Sequence, residues 1–168
     1  MQKIMIIEDA PVIREELQLF LTHYGYEVEA PTEFKTIINQ VQKSQPHLIL
    51  LDINLPIFDG YYLCKEIRKL SDVPIIIVTS RDSEMDELMS MNLGADDFVT
   101  KPYNTQILLA RIASLLKRTY GQQATSDILM YRNLSLNLAN SSMTFESNTL
   151  ELTKNELKIL AYLIKNQG

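Results

Sequence analysis

Four short apolar runs, each halted by polar residues, constrain this chain more than anything else in it. Ile4-Met5-Ile6-Ile7 ends in Glu8-Asp9, Leu48-Ile49-Leu50-Leu51 in Asp52, Pro74-Ile75-Ile76-Ile77-Val78 in Thr79-Ser80, and Phe98-Val99-Thr100 in Lys101-Pro102. Apolar runs this short, bounded by turn residues and separated by helix-length stretches, read as strands buried on both faces in a parallel sheet. The intervening stretches have helical periodicity. From about Pro11 to Tyr24, residues Val12, Ile13, Leu17, Phe20, Leu21 and Tyr24 make an apolar stripe, with Gly25 as its C-cap. A second helix over Glu33–Lys43 turns Phe34, Ile37, Ile38 and Val41 inward. A third follows Gly60 and reaches Leu70, a fourth spans Ser83–Leu93 before Gly94, and a fifth runs from Thr105 to Arg118. With a further short strand at Glu27–Ala30, the pattern predicts an α/β fold. It is a doubly wound, five-stranded parallel sheet of order 2-1-3-4-5, built from residues 1–118.

In such sheets the working residues lie just beyond the carboxyl ends of the strands. Glu8, Asp9, Asp52, Thr79 and Lys101 are therefore expected on one rim, with the acids flanking the switch point between the first and third strands. Any one of these residues alone is an ordinary loop residue or helix cap. Three carboxylates together repel one another unless a cation intervenes, and an oxygen-only ligand set with water favours Mg²⁺. Asp52 is then placed to act as a nucleophile toward phosphorus, with the metal and Lys101 holding the phosphoryl oxygens.

The 168 residues leave room for a second, small unit. Residues 119–127 are polar and read as a linker. Beyond it, Leu134–Leu138, Met143–Phe145 and Leu150–Leu152 alternate as in a small antiparallel meander. Thr153 and Glu156 then have the spacing of a capping box, opening a helix with Leu157, Ile159, Leu160, Leu163 and Ile164 on its apolar side. A net charge of −5 argues against a strongly basic nucleic-acid surface on these residues. The lone Cys64 excludes an internal disulfide, and no apolar run approaches the ~20 residues of a membrane span. The expectation is a cytoplasmic protein with no leader and no membrane partner. His23 and His47 pair with no cysteine or second histidine at metal-binding spacing.

These motifs resemble the OmpR/PhoB-type two-component response regulators. The likeness rests on Glu8-Asp9, on Asp52-Ile53-Asn54-Leu55-Pro56 with Asp59-Gly60, on Thr79-Ser80-Arg81-Asp82, and on Gly94 through Tyr103. It implies a receiver domain over residues 1–118 in which Asp52 is phosphorylated by a sensor histidine kinase. Glu8, Asp9, Asp52 and the backbone carbonyl of Asn54 would bind Mg²⁺, and Thr79 and Lys101 would contact the phosphoryl group. Thr79 and Phe98 would form a switch pair, and Lys101-Pro102 a cis peptide. Asp96, Asp97, Arg111 and Arg118 match part of a surface for homodimerisation on phosphorylation, although Ile107 stands where that surface usually carries a glutamate. Residues 128–168 resemble the start of a winged-helix DNA-binding domain. That domain would be truncated, its recognition helix and wing lying past Gly168, so promoter DNA would be a partner of the full-length protein only. The resemblance implies a phosphoacceptor with slow self-dephosphorylation at most, not an enzyme.

Two other readings compete. A Mg²⁺-dependent phosphohydrolase using an aspartyl-phosphate needs a second aspartate two residues after the nucleophile as general acid; that position is Asn54, which is not a useful proton donor. The other is a stand-alone receiver that passes its signal by protein contacts alone, a reading that the expected truncation of the second unit keeps open.

Overall fold

The computed structural model describes residues 1–121, 128–138 and 141–166. They fall into two units, Met1–Thr119 and Tyr120–Gly168. In the first, β1 (Lys3–Ile7), β2 (Glu27–Glu29), β3 (Leu48–Leu51), β4 (Ile75–Thr79) and β5 (Asp97–Thr100) form one sheet in the order β2-β1-β3-β4-β5. Every pairing is parallel, as the apolar runs predict. The helices α1 (Pro11–His23), α2 (Ile37–Ser44), α3 (Gly60–Leu70), α4 (Glu84–Asn92) and α5 (Thr105–Tyr120) alternate with the strands. Ile4, Ile7, Leu48, Ile49, Leu51, Ile75, Ile76 and Ile77 are wholly buried, so the central strands feed cores on both faces. β2 lies on an edge, which is why it tolerates Glu27 and Glu29; Lys3 Nζ lies 3.0 Å from Glu29 Oε1.

Three local departures have local causes. The helix expected over Glu33–Lys43 begins instead as a 3₁₀ turn at Phe34–Thr36, where the Glu33 side chain accepts from the Lys35 N–H and Phe34 is buried. Thr36 then has φ −108°, outside the helical range, and α2 starts at Ile37. On α1 only Leu17 and Leu21 of the apolar stripe are fully buried, while Val12 is 66% exposed. Lastly, α5 continues through Thr119 and Tyr120, the first two residues of the predicted linker; residues 122–127 of that linker lie outside the described residues.

Arg68 ties together the ends of three elements. Its guanidinium donates from Nε and Nη2 to the Gly94 carbonyl at 3.0 and 2.6 Å, and from Nη1 to the carbonyls of Ser71 and Val73 at 3.1 and 2.7 Å. Nη2 also reaches Asp96 Oδ2 at 3.1 Å, and that same oxygen accepts from the Ile75 N–H at 2.9 Å. Gly94 has φ +103°, and a Cβ there would stand 2.9 Å from Arg68 Nε. Glycine therefore serves both the backbone conformation and the close approach of the guanidinium.

The second unit is an antiparallel meander of β6 (Ile128–Tyr131), β7 (Leu134–Asn137), β8 (Ser142–Phe145) and β9 (Asn148–Glu151), followed by α6 (Lys154–Lys165). The sequence pattern reveals three of these strands; β6 reads Ile-Leu-Met-Tyr and has no polar alternation to mark it. The capping box is present, with the Thr153 hydroxyl and the Glu156 carboxylate each bound to the other's backbone N–H. Leu136 is fully buried, whereas Ile159, Tyr162 and Leu163 on α6 are exposed.

Replacing Arg68 by Ala strands several carbonyls that now share one cation. Arg68→Ala should cost about 2–3 kcal/mol of stability. Urea unfolding of the two proteins reads this directly, and an unchanged midpoint would contradict it.

Candidate functional site

The register of β1 on β3 sets the site. Ile7 pairs with Leu51, so Glu8 and Asp52 leave the sheet side by side. One carboxylate oxygen from each of Glu8, Asp9 and Asp52 falls within 4.8 Å of the others. Glu8 and Asp52 are 3% and 5% exposed, while Asp9 faces solvent. Two nearly buried carboxylates require partners, because water cannot solvate them.

Both find the same pair of partner types. Lys101 Nζ donates to Glu8 Oε2 at 2.6 Å and to Asp52 Oδ2 at 2.8 Å. The remaining oxygen of each acid accepts a backbone N–H from two residues onward: Ala10 to Glu8 Oε1 and Asn54 to Asp52 Oδ1, both at 3.0 Å. Burial pushes the Glu8 carboxyl above the ordinary range, outweighing the lysine that opposes it. Burial by itself would lower Lys101, but its hydrogen bonds to Asp52 and Glu8 together prevail and hold it above its usual value.

Lys101 arrives from β5, its N–H donating to the Thr79 carbonyl at 2.8 Å and its bond to Pro102 cis. Thr79 ends β4 fully buried, and its Oγ1 accepts from the Arg81 N–H at 3.4 Å. Phe98 sits opposite Ile77, and Thr79 opposite Thr100. Thr79 and Phe98 thus project from the same face of neighbouring strands, with Phe98 half-buried against the core.

Asn54 follows Asp52 in the same turn, and its side chain is engaged at both ends. Oδ1 accepts from Arg81 Nε at 2.8 Å and Nδ2 donates to Ser80 Oγ at 3.2 Å. Sequence reasoning assigned no role to Arg81 or to Tyr61, whose ring lies 5.5 Å from the Arg81 guanidinium carbon. It also treated Gly60 only as the end of a loop. A Cβ at Gly60 would lie 2.4 Å from the Asp52 carbonyl oxygen and 2.5 Å from Ile53 Cα, so the first residue of α3 must be glycine for the helix to abut the Asp52 backbone. That close approach has no signature in spacing or periodicity.

The residues assigned to a dimer surface divide. Asp97 pairs within the chain with Arg111, Nη1 lying 2.9 Å from Oδ2. These two line an open cleft of 360 Å³ with Ile107, Ser114, Leu115 and Arg118. Asp96 is instead held by Arg68 and the Ile75 N–H.

A parallel sheet of this order, with acids and a lysine gathered at its carboxyl edge, defines the receiver class. The chain belongs to the response regulator receiver domain family, whose profile matches residues 4–113. It is similar to the transcriptional regulatory protein YxdJ of Bacillus subtilis (strain 168), 38% identical over 168 residues, covering 98% of this chain and 73% of that protein. Among solved structures, the N-terminal domain of the nisin resistance regulator NsrR, a lantibiotic response regulator, is 38% identical with TM-score 0.64, covering 68% of this chain and 97% of that one. DrrB, a Thermotoga maritima OmpR/PhoB homologue, aligns over 100% of this chain and 74% of its own at 27% identity and TM-score 0.62. The protein is a two-component response regulator of the OmpR/PhoB type, and its relatives include transcriptional regulators.

A raised Glu8 pKa is a statement about stability. The folded protein holds its proton more tightly than the unfolded chain, so the contribution is fully present below the ordinary value of 4.5 and is lost as pH rises through the folded value. Glu8→Gln removes that dependence. The stability of Glu8→Gln relative to wild type should therefore increase from pH 4 toward neutrality, as read by chemical denaturation at several pH values. A difference that is flat or falling would reject the assignment.

Proposed function

We propose that the rim is a Mg²⁺-dependent phosphoacceptor site, and that Asp52 takes a phosphoryl group from a sensor histidine kinase. One observation carries this reading: a buried Asp52 carboxylate lies among two further acids, with Lys101 Nζ 2.8 Å away. An Asp52 oxygen attacks phosphorus, the phosphorus–nitrogen bond to the kinase imidazole breaks, and the imidazole departs with the electron pair. Lys101 already donates to Asp52, so it is poised to bind the phosphoryl oxygens that Asp52 would then carry.

The donor set fits magnesium. Glu8, Asp9 and Asp52 offer only oxygen, and the backbone carbonyl of Asn54 follows in the same turn. The ion would supply charge neutralisation for the incoming phosphoryl oxygens. On this reading the protein is a phosphoacceptor, not an enzyme acting on a released substrate, and its aspartyl-phosphate hydrolyses slowly. The phosphohydrolase alternative wants an acid at the position of Asn54, whose side chain is instead bound to Arg81 and Ser80.

Phosphorylation would draw the Thr79 hydroxyl toward the new anion and let Phe98 move into the space it leaves, a two-state packing change. The surface bearing Asp97, Arg111 and Arg118 would then pair two copies. The meander and capped α6 would belong to a winged-helix DNA-binding domain, which makes promoter DNA a partner of a full-length protein that carries a recognition helix.

Intact mass after incubation with acetyl phosphate and Mg²⁺ tests the site. The wild type should gain one phosphoryl group; Asp52→Ala should gain none, and Asp9→Asn or omission of Mg²⁺ should reduce the gain at least tenfold. Persistent uptake by Asp52→Ala would sink the proposal. For the switch, light scattering should show the phosphorylated wild type doubling in mass, while phosphorylated Thr79→Val stays monomeric. Equal dimerisation by both would reject that coupling.

A further inference from the structure

Arg81 has partners on three separate segments, which a merely solvated arginine does not need. Its Nε holds Asn54 Oδ1 at 2.8 Å, at the rim of the acidic site. Its guanidinium carbon lies 5.5 Å from the ring centroid of Tyr61 on α3, within the range of a cation–π contact. Its Nη1 is 4.0 Å from Asp86 Oδ1 on α4. Tyr61 is 7% exposed, and its hydroxyl donates to the same Asp86 oxygen at 2.7 Å. Asp86 in turn belongs to the cap of α4. Its N–H donates to Ser83 Oγ at 3.1 Å, its other carboxylate oxygen accepts from the Ser83 hydroxyl, and its carbonyl accepts from Ser90 Oγ at 2.8 Å. Arg81 also lines a 380 Å³ cleft with Asp9, Asn54 and Asp59, open to whatever approaches the rim.

We propose that Arg81 is a positioning residue that fastens the first turn of α4 to the unphosphorylated rim, through Asn54 on one side and the Tyr61–Asp86 pair on the other. The guanidinium is the member of the set carried on a long side chain at the edge of the cleft. It is partly exposed and sits on a flexible stem, while Asn54, Tyr61 and Asp86 are each held by further hydrogen bonds. An anion on Asp52 competes for it. When Arg81 turns toward that anion, Tyr61 loses its cation and Asp86 a neighbouring positive charge, so the α4 cap loosens. This release rests on the phosphoacceptor reading of Asp52; the fastening itself does not. It reaches α4 directly at Asp86 and through Tyr61 on α3, by side chains other than those of Thr79 and Phe98, although the Arg81 N–H itself donates to Thr79 Oγ1.

Hydrogen exchange at the Asp86 and Glu87 amides, which donate to Ser83 Oγ and to the Ser83 carbonyl, reports the cap. In unphosphorylated protein, Arg81→Ala and Tyr61→Phe should each exchange roughly two- to fivefold faster there than wild type, and the double variant little faster than either. Arg81→Lys keeps the charge but loses the Nε donor and planar fork, so it should resemble Arg81→Ala. Unchanged exchange in β3 verifies that each variant is folded, and the lysine variant serves if the alanine variant is not. After acetyl phosphate and Mg²⁺, these amides should speed up in the wild type and change no further in phosphorylated Arg81→Ala. Wild-type exchange in unphosphorylated Arg81→Ala overturns the fastening. An equal phosphorylation-induced increase in both proteins overturns the release. If the wild type takes up no phosphoryl group, the phosphoacceptor reading and the release fall together, and the unphosphorylated comparison still decides the fastening.

Discussion

One ammonium group bridges two buried carboxylates, and the arrangement of the rim follows from that contact. Glu8 and Asp52 are brought together by strand register, not by attraction, and in a low-dielectric setting their repulsion would be severe. Lys101 offsets it from across β4, in hydrogen-bond contact with both acids at once. The lysine must therefore come from a strand end at the same height as theirs, which the order β2-β1-β3-β4-β5 provides. The ammonium of this lysine bonds to Glu8 and Asp52, while its backbone N–H is bound to the Thr79 carbonyl. The pairing of the two acids and the link between β5 and the β1–β3 edge thus draw on the same side chain.

Much of this was legible in the sequence because it depends on order and position. Buried strands with no polar alternation announce a parallel sheet, and residues at their ends announce a rim; Glu8, Asp9, Asp52, Thr79 and Lys101 needed nothing more. The capping box of Thr153 and Glu156 was equally legible, being a matter of spacing along one helix. Contacts between segments distant in sequence were not. No motif or spacing singles out Arg68, yet it serves the carbonyls of Ser71, Val73 and Gly94. Asp96 reads as an interface acid, yet much of its hydrogen bonding is used inside the fold. The 3₁₀ entry to α2 escaped notice because Phe34 fits the helical stripe either way; only the competing Glu33 side chain tightens the turn.

The face bearing α4 and α5 has a mixed character. Met85, Leu88 and Met89 stand exposed on α4, whose first turn is wholly acidic among its charges, while α5 ends in Lys117 and Arg118. That face therefore combines exposed apolar side chains with charges of both signs. Ile107, exposed on α5, adds to the apolar part.

Gly60 gives the two walls of the rim unequal mechanical standing. With no side chain between α3 and the Asp52 backbone, and with the Gly60 N–H bonded to the Ile53 carbonyl at 2.9 Å, helix and acid are packed backbone to backbone as one piece. The opposite wall, from Ser80 to Ser83, is joined to that piece by side chains alone among its described contacts with Asn54 and Tyr61. Asp52 therefore stands between a wall built on backbone and a wall built on side chains, the first fixed by covalent geometry and the second by groups that can change rotamer.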